Sequence, residues 1–165
     1  MAPPDAASAL LGLGGNLGDV ASTLDRALAL LAEAGEVAVV RVSSDWITPP
    51  WGVTDQPAFV NRCALIETTL SPRALLERAL EVERRLGRVR EAGTRWGPRP
   101  VDIDILSYDD LTLDQPGLVL PHPHLFERAF VLVPLAEIAP DRVINGRRIA
   151  DAAATIDRSG MTRAG

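Results

Sequence analysis

The chain has 165 residues, of which 47% are hydrophobic and 24% are charged, and its net charge at neutral pH is −5. This length and composition favour one globular domain, and the acidic balance argues against a protein that binds nucleic acid or a membrane surface. All 17 basic residues are arginine, so mechanisms that need a lysine, such as a P-loop or a Schiff base, are excluded.

Two further features bear on where the chain works. No apolar run reaches the roughly 18 residues of a membrane-spanning helix, and the first residues lack the basic start of a secretory signal. Cys63 is the only cysteine, so no internal disulfide can form. We therefore expect a cytoplasmic protein.

The first third of the chain predicts a strand, a helix and a second strand. SALLGL at 8–13 is a short apolar run, leucines recur at helical spacing within 19–34, and 37–42 is rich in valine. Between the first strand and the helix, GLGGNLGD resembles two phosphate motifs but lacks the third fingerprint glycine and the P-loop lysine. It is interpreted as a turn and helix cap, with Asn16 as the cap candidate.

The middle of the chain predicts a stiff loop, a strand and a second helix. Prolines prevent a helix at 46–52, and alternation at 59–69 indicates a third strand. Ser71 followed by Pro72 is typical of a helix N-terminus, and Gly87 is a plausible end of that helix.

The last part begins with an unpatterned stretch at 87–100, and a loop of that length is uncommon unless it is functional or disordered. Residues 101–106 alternate as a fourth strand, 119–120 form a short strand, and 130–139 predict a third helix that contains a proline. Residues 151–165 look frayed.

The order β-α-β-β-α-β predicts an α+β fold, a ferredoxin-like sandwich with an antiparallel sheet, helices on one face and extra C-terminal elements. We expect a single domain over 1–165, with a core at about 8–155 and frayed termini. The second face of the sheet would then be free to carry a site.

Asp102 and Asp104 are two apart in the fourth strand, so they share one face. Two such carboxylates suit Mg²⁺, which prefers hard oxygen ligands, although a solvated strand face alternates in the same way. Residues 84–99 hold six arginines against the single acid Glu91. Arg84 and Arg85 fit a helix C-terminus, but the other four lie beyond it and favour a polyanionic ligand such as a triphosphate.

Two smaller groups of residues could complete a site. Thr48, Pro49 and Pro50, with Phe59 and Asn61, could form a pocket for a flat polar heterocycle, or be core and turn residues. His122 and His124 lack the partners of a zinc site and could contact a phosphate or simply lie at the surface.

RWGPRPVDIDIL at 95–106 resembles the signature of the 6-hydroxymethyl-7,8-dihydropterin pyrophosphokinases. GLGGNLGD, SSDWITPPWGVTDQPAFVN, GRVR and LPHPHLFERAFVLVPLAEIAPD follow the same family's order, so the resemblance covers about 8–141. It implies the ferredoxin-like fold and transfer of pyrophosphate from ATP to the pterin hydroxymethyl group, with release of AMP, in folate biosynthesis. It also implies two Mg²⁺ ions and small-molecule substrates. From the negative net charge we expect no nucleic acid or membrane partner, and we expect a monomer.

The resemblance further implies roles for individual residues. The catalytic residues would be Arg88, Arg99, Asp102 and Asp104, with both aspartates as metal ligands. The residues at the ATP would be Glu83, Arg88, Arg90, Arg95, Trp96, Arg99, Ile105 and His122. The residues at the pterin would be Thr48, Pro49, Pro50, Phe59, Asn61 and Phe130.

Two other functions remain open from the residues alone. One is a different Mg²⁺-dependent nucleotidyl or phosphoryl transferase that uses the same carboxylate pair with another acceptor. The other is a ferredoxin-like RNA-binding or interaction module, which the negative charge and the absence of an RNA-recognition aromatic motif in FVNRCALIE oppose.

Overall fold

A computed structural model describes residues 5–49, 55–87 and 100–164 of the chain. The first part contains β1 (Ala7–Gly15), α1 (Val20–Ala32), β2 (Val37–Val42), β3 (Trp46–Thr48), β4 (Phe59–Thr68), α2 (Pro72–Arg85) and β5 (Asp102–Tyr108). The remainder contains β6 (Leu113–Gln115), β7 (Leu118–Leu120), a 3₁₀ turn (Leu125–Glu127), α3 (Ala129–Ile138), β8 (Val143–Ile144), β9 (Arg147–Arg148), α4 (Ile149–Thr155) and β10 (Thr162–Arg163).

The main sheet is antiparallel, with β1 between β4 and β5. On the other edge of β4, β3 pairs with its first residues and β2 with its last, so β2 and β3 together occupy one strand position. The predicted mixture of helices with an antiparallel sheet is confirmed, and the order up to β5 is βαβββαβ, which is compatible with the predicted βαββαβ order because β2 and β3 share one strand position. None of the helices in the described ranges is long and apolar enough to cross a bilayer.

Helices α1 and α2 cover one face of the sheet and form the first core. Alternate residues of β1, such as Leu11 and Leu13, meet Leu24 and Leu31 of α1 there, and all four are buried. Burying such apolar side chains contributes about 1.5–3 kcal/mol each. This part of the sandwich follows directly from the period-two and helical patterns of the sequence.

A second core lies on the opposite face, which the sequence had led us to expect would be free. Leu10, Cys63 and Leu106 of the sheet pack there against α3 and α4. The physical reason is the composition of α3, AFVLVPLAEI, which is apolar on nearly every side and must be covered all round. The part of this face near Gly14 contributes no residue to either core and is where the candidate site lies.

Two local predictions change, and a third is confirmed. The cap of α1 is Asp19, whose carboxylate accepts from the Ser22 N–H at 3.3 Å, and not Asn16. Trp46–Thr48 forms a strand and not a loop, because these residues precede the prolines and keep their N–H groups for pairing. Ser71 caps α2 as predicted, accepting from the Ala74 N–H at 3.2 Å.

Candidate active site

Two glycines of β1 lie between the acidic pair of β5 and an asparagine of β4. Gly14 is paired with Asp102 on one side and with Asn61 on the other, and Gly12 is paired with Asp104. Directly opposed residues of antiparallel strands point to the same face, so these side chains share the face that carries the second core. Because Gly14 has no side chain, the Asn61 side chain can approach the backbone of β1 at this point.

The acidic pair lies on β5, and the opposite face of this strand packs against the first core. Asp102 and Asp104 are half-buried, whereas Ile103 between them lies in the first core. The Ile103 N–H donates to the buried carboxylate of Glu83 on α2 at 2.8 Å. Glu83 therefore fixes the backbone between the two aspartates, and a buried donor on this edge strand is satisfied.

Ile105 faces the core, as the strand alternation predicts, and its place at the ATP stays a prediction. Its side chain lies in the first core, on the side of the sheet away from the aspartates, and is 5% exposed. The alternation of the strand dictates this direction. Only the backbone of Ile105 is therefore placed to meet a ligand of the aspartate face.

On the opposite side of the glycines, an amide and a hydroxyl form a fixed pair. Asn61 Nδ2 donates to Thr48 Oγ1 at 2.9 Å, and Thr48 is buried opposite Phe59 in the β3–β4 ladder. Phe130, at the start of α3, packs against the second core on the same face. This arrangement can hydrogen-bond a polar heterocycle at its edge and offer aromatic surface beside it.

His122 lies near the acidic pair and is held by its neighbours. Its backbone N–H donates to the Leu106 carbonyl at 2.9 Å, and its ring Nδ1 accepts from the backbone N–H of His124 at 3.1 Å. Burial, with the nearby positive charge of Arg128 and His124, lowers the pKa of His122 to about 4, against an opposing effect of Asp102. The imidazole is therefore neutral near pH 7, and its proton is on Nε2, from which it can donate to a phosphate oxygen.

We expect His122 to make the protein less stable in acid. Because the pKa is below that of the unfolded chain, the unfolded state takes up the proton first, and stability falls as the pH drops from about 6.5 to about 4. With partial solvent exposure discounted, the loss is about 2 kcal/mol. Chemical denaturation across this range should show that His122→Gln removes this part of the slope. An unchanged slope in the variant would contradict the assignment.

The sequence analysis missed Arg128 as a residue of this site. The Arg128 guanidinium lies 5.6 Å from the centre of the Phe130 ring and influences the charge of His122, so it brings a cation to the site from outside the arginine-rich segment. Asn16, which was predicted to be a helix cap, is instead buried, and its Nδ2 donates to Gln56 Oε1 at 2.8 Å and to the Pro57 carbonyl at 3.0 Å. The position of Arg128 in the sequence, two residues before the predicted pterin residue Phe130, could have indicated that Arg128 lies at the site.

Several predicted site residues lie outside the described residues, and the structure says nothing of their positions: Pro50, Arg88, Arg90, Arg95, Trp96 and Arg99. Within the described ranges, no three His, Cys, Asp or Glu side chains converge as a metal-binding group. The Asp102–Asp104 pair still fits Mg²⁺ by its chemistry, since this ion is commonly held by one or two carboxylates and completes its shell with water and phosphate oxygens.

Comparison with known proteins identifies the same family that the sequence motifs resemble. The family model described as 7,8-dihydro-6-hydroxymethylpterin-pyrophosphokinase matches residues 10–140. A Methylorubrum extorquens protein named 2-amino-4-hydroxy-6-hydroxymethyldihydropteridine pyrophosphokinase is 52% identical over 155 residues, covering 94% of this chain and 97% of its own. A Bacillus subtilis protein of the same name is 45% identical over 130 residues, covering 79% of this chain and 77% of its own.

Solved structures show the same fold. Crystal structures of Plasmodium falciparum HPPK-DHPS wild type and of HPPK-DHPS in complex with substrates match with TM-scores of 0.74 and 0.72, each at 13% identity and over 96% of this chain. The chain spans about half the length of these two proteins, 48% and 47% respectively. The family model and the sequence matches cover most of the length of the chain. The chain therefore belongs to the 7,8-dihydro-6-hydroxymethylpterin-pyrophosphokinase family.

Proposed function

We propose that the chain transfers pyrophosphate from ATP to the hydroxymethyl group of 6-hydroxymethyl-7,8-dihydropterin and releases AMP, as a step of folate biosynthesis. Family membership supports the reaction. The structural observation that supports it is the strand pairing at Gly14, a residue without a side chain that lies between Asp102 on one neighbouring strand and Asn61 on the other. One side suits a triphosphate with its metal, and the other suits a pterin edge.

On the nucleotide side, Asp102 and Asp104 would hold two Mg²⁺ ions. Bound there, magnesium supplies neutralisation of the triphosphate charge. The neutral His122 donates to a phosphate oxygen, Glu83 keeps the carboxylate strand in place, and Ile105 takes part through its backbone. The remaining nucleotide contacts are assigned to residues of the arginine-rich segment: Arg88, Arg90, Arg95, Trp96 and Arg99.

On the acceptor side, the pterin is bound by Thr48, Pro49, Pro50, Phe59, Asn61 and Phe130. The bond between Asn61 and Thr48 fixes the asparagine amide, so its orientation is set before the ligand arrives. Aromatic surface from Phe59 and Phe130 accounts for binding of the ring. Preorganisation of this kind lowers the entropy cost of binding.

The transfer needs no covalent enzyme intermediate. The pterin hydroxymethyl oxygen attacks the β-phosphorus of ATP, the bond from that phosphorus to the α,β-bridging oxygen breaks, and AMP leaves while the hydroxyl proton passes to solvent. The contribution of the protein is to align the two substrates and to neutralise charge, for which Arg88 and Arg99 are assigned alongside the aspartates. We propose that it does so as a single-domain monomer in the cytoplasm.

The test is to incubate the protein with ATP, Mg²⁺ and 6-hydroxymethyl-7,8-dihydropterin and to identify the nucleotide product by chromatography. Formation of AMP in proportion to pterin pyrophosphate is the expected result. ADP would indicate transfer of a single phosphoryl group. AMP that forms only with a different alcohol would instead support a related Mg²⁺-dependent transferase, the second candidate that the carboxylate pair allows.

A further inference from the structure

The segment that follows α4 is built against the strand on the acceptor side of the site. It turns at residues 158–161, where the Met161 N–H donates to the Arg158 carbonyl at 3.1 Å. Thr162 and Arg163 of β10 then pair with Ile47 and Trp46. The segment expected to be frayed therefore adds a strand to the sheet beside β3.

The turn before β10 contacts the acceptor side of the site at Pro49. Gly160 has φ +82°, and a Cβ built on it would lie 2.9 Å from Pro49 Cγ and 3.4 Å from Pro49 Cδ. Only glycine allows this approach, because a proline ring cannot rotate away from the contact. Pro49 directly follows Thr48, the hydroxyl partner of Asn61.

Besides its pairing with β4 and β10, β3 and the residue before it are held by three further contacts. On the sheet, the buried Arg62 donates to both carboxylate oxygens of Asp45, at 2.6 and 2.9 Å. From α3, Glu137 accepts from the Trp46 indole N–H at 3.0 Å. At the outer edge, the Ala164 N–H donates to the Asp45 carbonyl at 2.9 Å. Because β3 has only three residues, its position depends on these contacts.

We propose that residues 160–164 are a positioning element for the acceptor subsite, which sets the place of Thr48 and Pro49 through the Gly160 contact and the β10–β3 pairing. This inference rests on the proposed function. The acidic pair lies on β5, on the far side of β1 and β4 from β10, so the element acts on the pterin and not on the nucleotide. A shift of a few tenths of an ångström in Pro49 should weaken acceptor binding selectively.

The test compares two glycine substitutions with the same backbone strain. Gly160→Ala adds a Cβ against Pro49, whereas Gly35→Ala, at φ +86°, adds one into open space between α1 and β2. We expect Gly160→Ala to raise the KM for the dihydropterin by about fivefold and leave the KM for ATP within about twofold. Gly35→Ala should change neither constant, although it too lowers thermal stability.

A second variant keeps the proposal testable if Gly160→Ala does not fold. Ala164→Pro removes the N–H that donates to Asp45, and we expect the KM for the dihydropterin to rise about two- to threefold. Calorimetric titration with the pterin alone, which involves no turnover, should show the same order: the unsubstituted protein binds most tightly, then Ala164→Pro, then Gly160→Ala.

Equal shifts in both KM values, or equal effects of Gly160→Ala and Gly35→Ala, would overturn the positioning role. Failure of the proposed function is distinguishable, because the unsubstituted protein would then form no AMP from ATP and the pterin. If the unsubstituted protein forms AMP and the variants bind the pterin as it does, only the positioning role fails.

Discussion

Asp104→Ala should lower the rate of pyrophosphate transfer by about 10³-fold and leave pterin binding nearly intact. Asp104 lies opposite Gly12 on the face that carries the site, whereas Thr48 and Asn61 of the acceptor subsite lie across β1 on β3 and β4. Loss of one metal-binding carboxylate weakens the binding of Mg²⁺. The charge neutralisation that the ion would supply is needed most in the transition state. Single-turnover rates and calorimetric titration with the pterin would measure the two effects separately.

Asp114→Ala provides the matched control, because Asp114 is an exposed aspartate on the β6–β7 hairpin, which forms a separate sheet. It makes the same change of charge without touching the site and should leave the rate and the pterin affinity unchanged. If Asp104→Ala weakened pterin binding as much as it slowed transfer, the aspartate would be a structural residue, and the metal assignment would be wrong.

Gly14→Ala should weaken pterin binding by about tenfold or more. A Cβ at this position would overlap Asn61 Oδ1 and come within 3.3 Å of the Val60 carbonyl. The asparagine side chain would have to turn, and its bond to Thr48 would be lost. Titration of the variant with the pterin would measure the change, and thermal unfolding would show whether the fold is retained.

Gly12→Ala separates this effect from the general cost of changing a strand glycine. Gly12 is on the same strand and face, but the atoms nearest to its added Cβ would be those of the Leu106 side chain, at 3.6 Å or more, which is ordinary contact. We expect Gly12→Ala to bind the pterin with an affinity close to that of the unsubstituted protein. Similar losses in both variants would show that Asn61 is not the residue through which Gly14 acts.

Much of the framework could be predicted because it depends on local patterns. The strand at 37–42 and the Ser71 cap were predicted with the bounds and cap that the structure shows. Period-two alternation correctly placed Asp102 and Asp104 on the face opposite the first core. These features need only the nearest neighbours in sequence.

The missed features depend on contacts between distant parts of the chain. Nothing near residue 162 indicates that it will pair with β3, more than a hundred residues away in the chain. Asn16 was misassigned because its side chain reaches Gln56 and Pro57, and the nearer Asp19 takes the cap. The register of β1 with β4 and β5, which places Asn61 across from Asp102, likewise arises only when the sheet assembles.

The reactivity of Cys63 in the second core can report local opening of the fold. The thiol is 1% exposed, lies 3.5 Å from the Val131 carbonyl and has a pKa raised by burial, so it is a poor nucleophile in the folded state. As the single cysteine, it is the only position at which a thiol-selective alkylating reagent can react. The alkylation rate therefore reports how often α3 separates from the sheet, and slowing by a bound ligand would measure how strongly that ligand holds the two together.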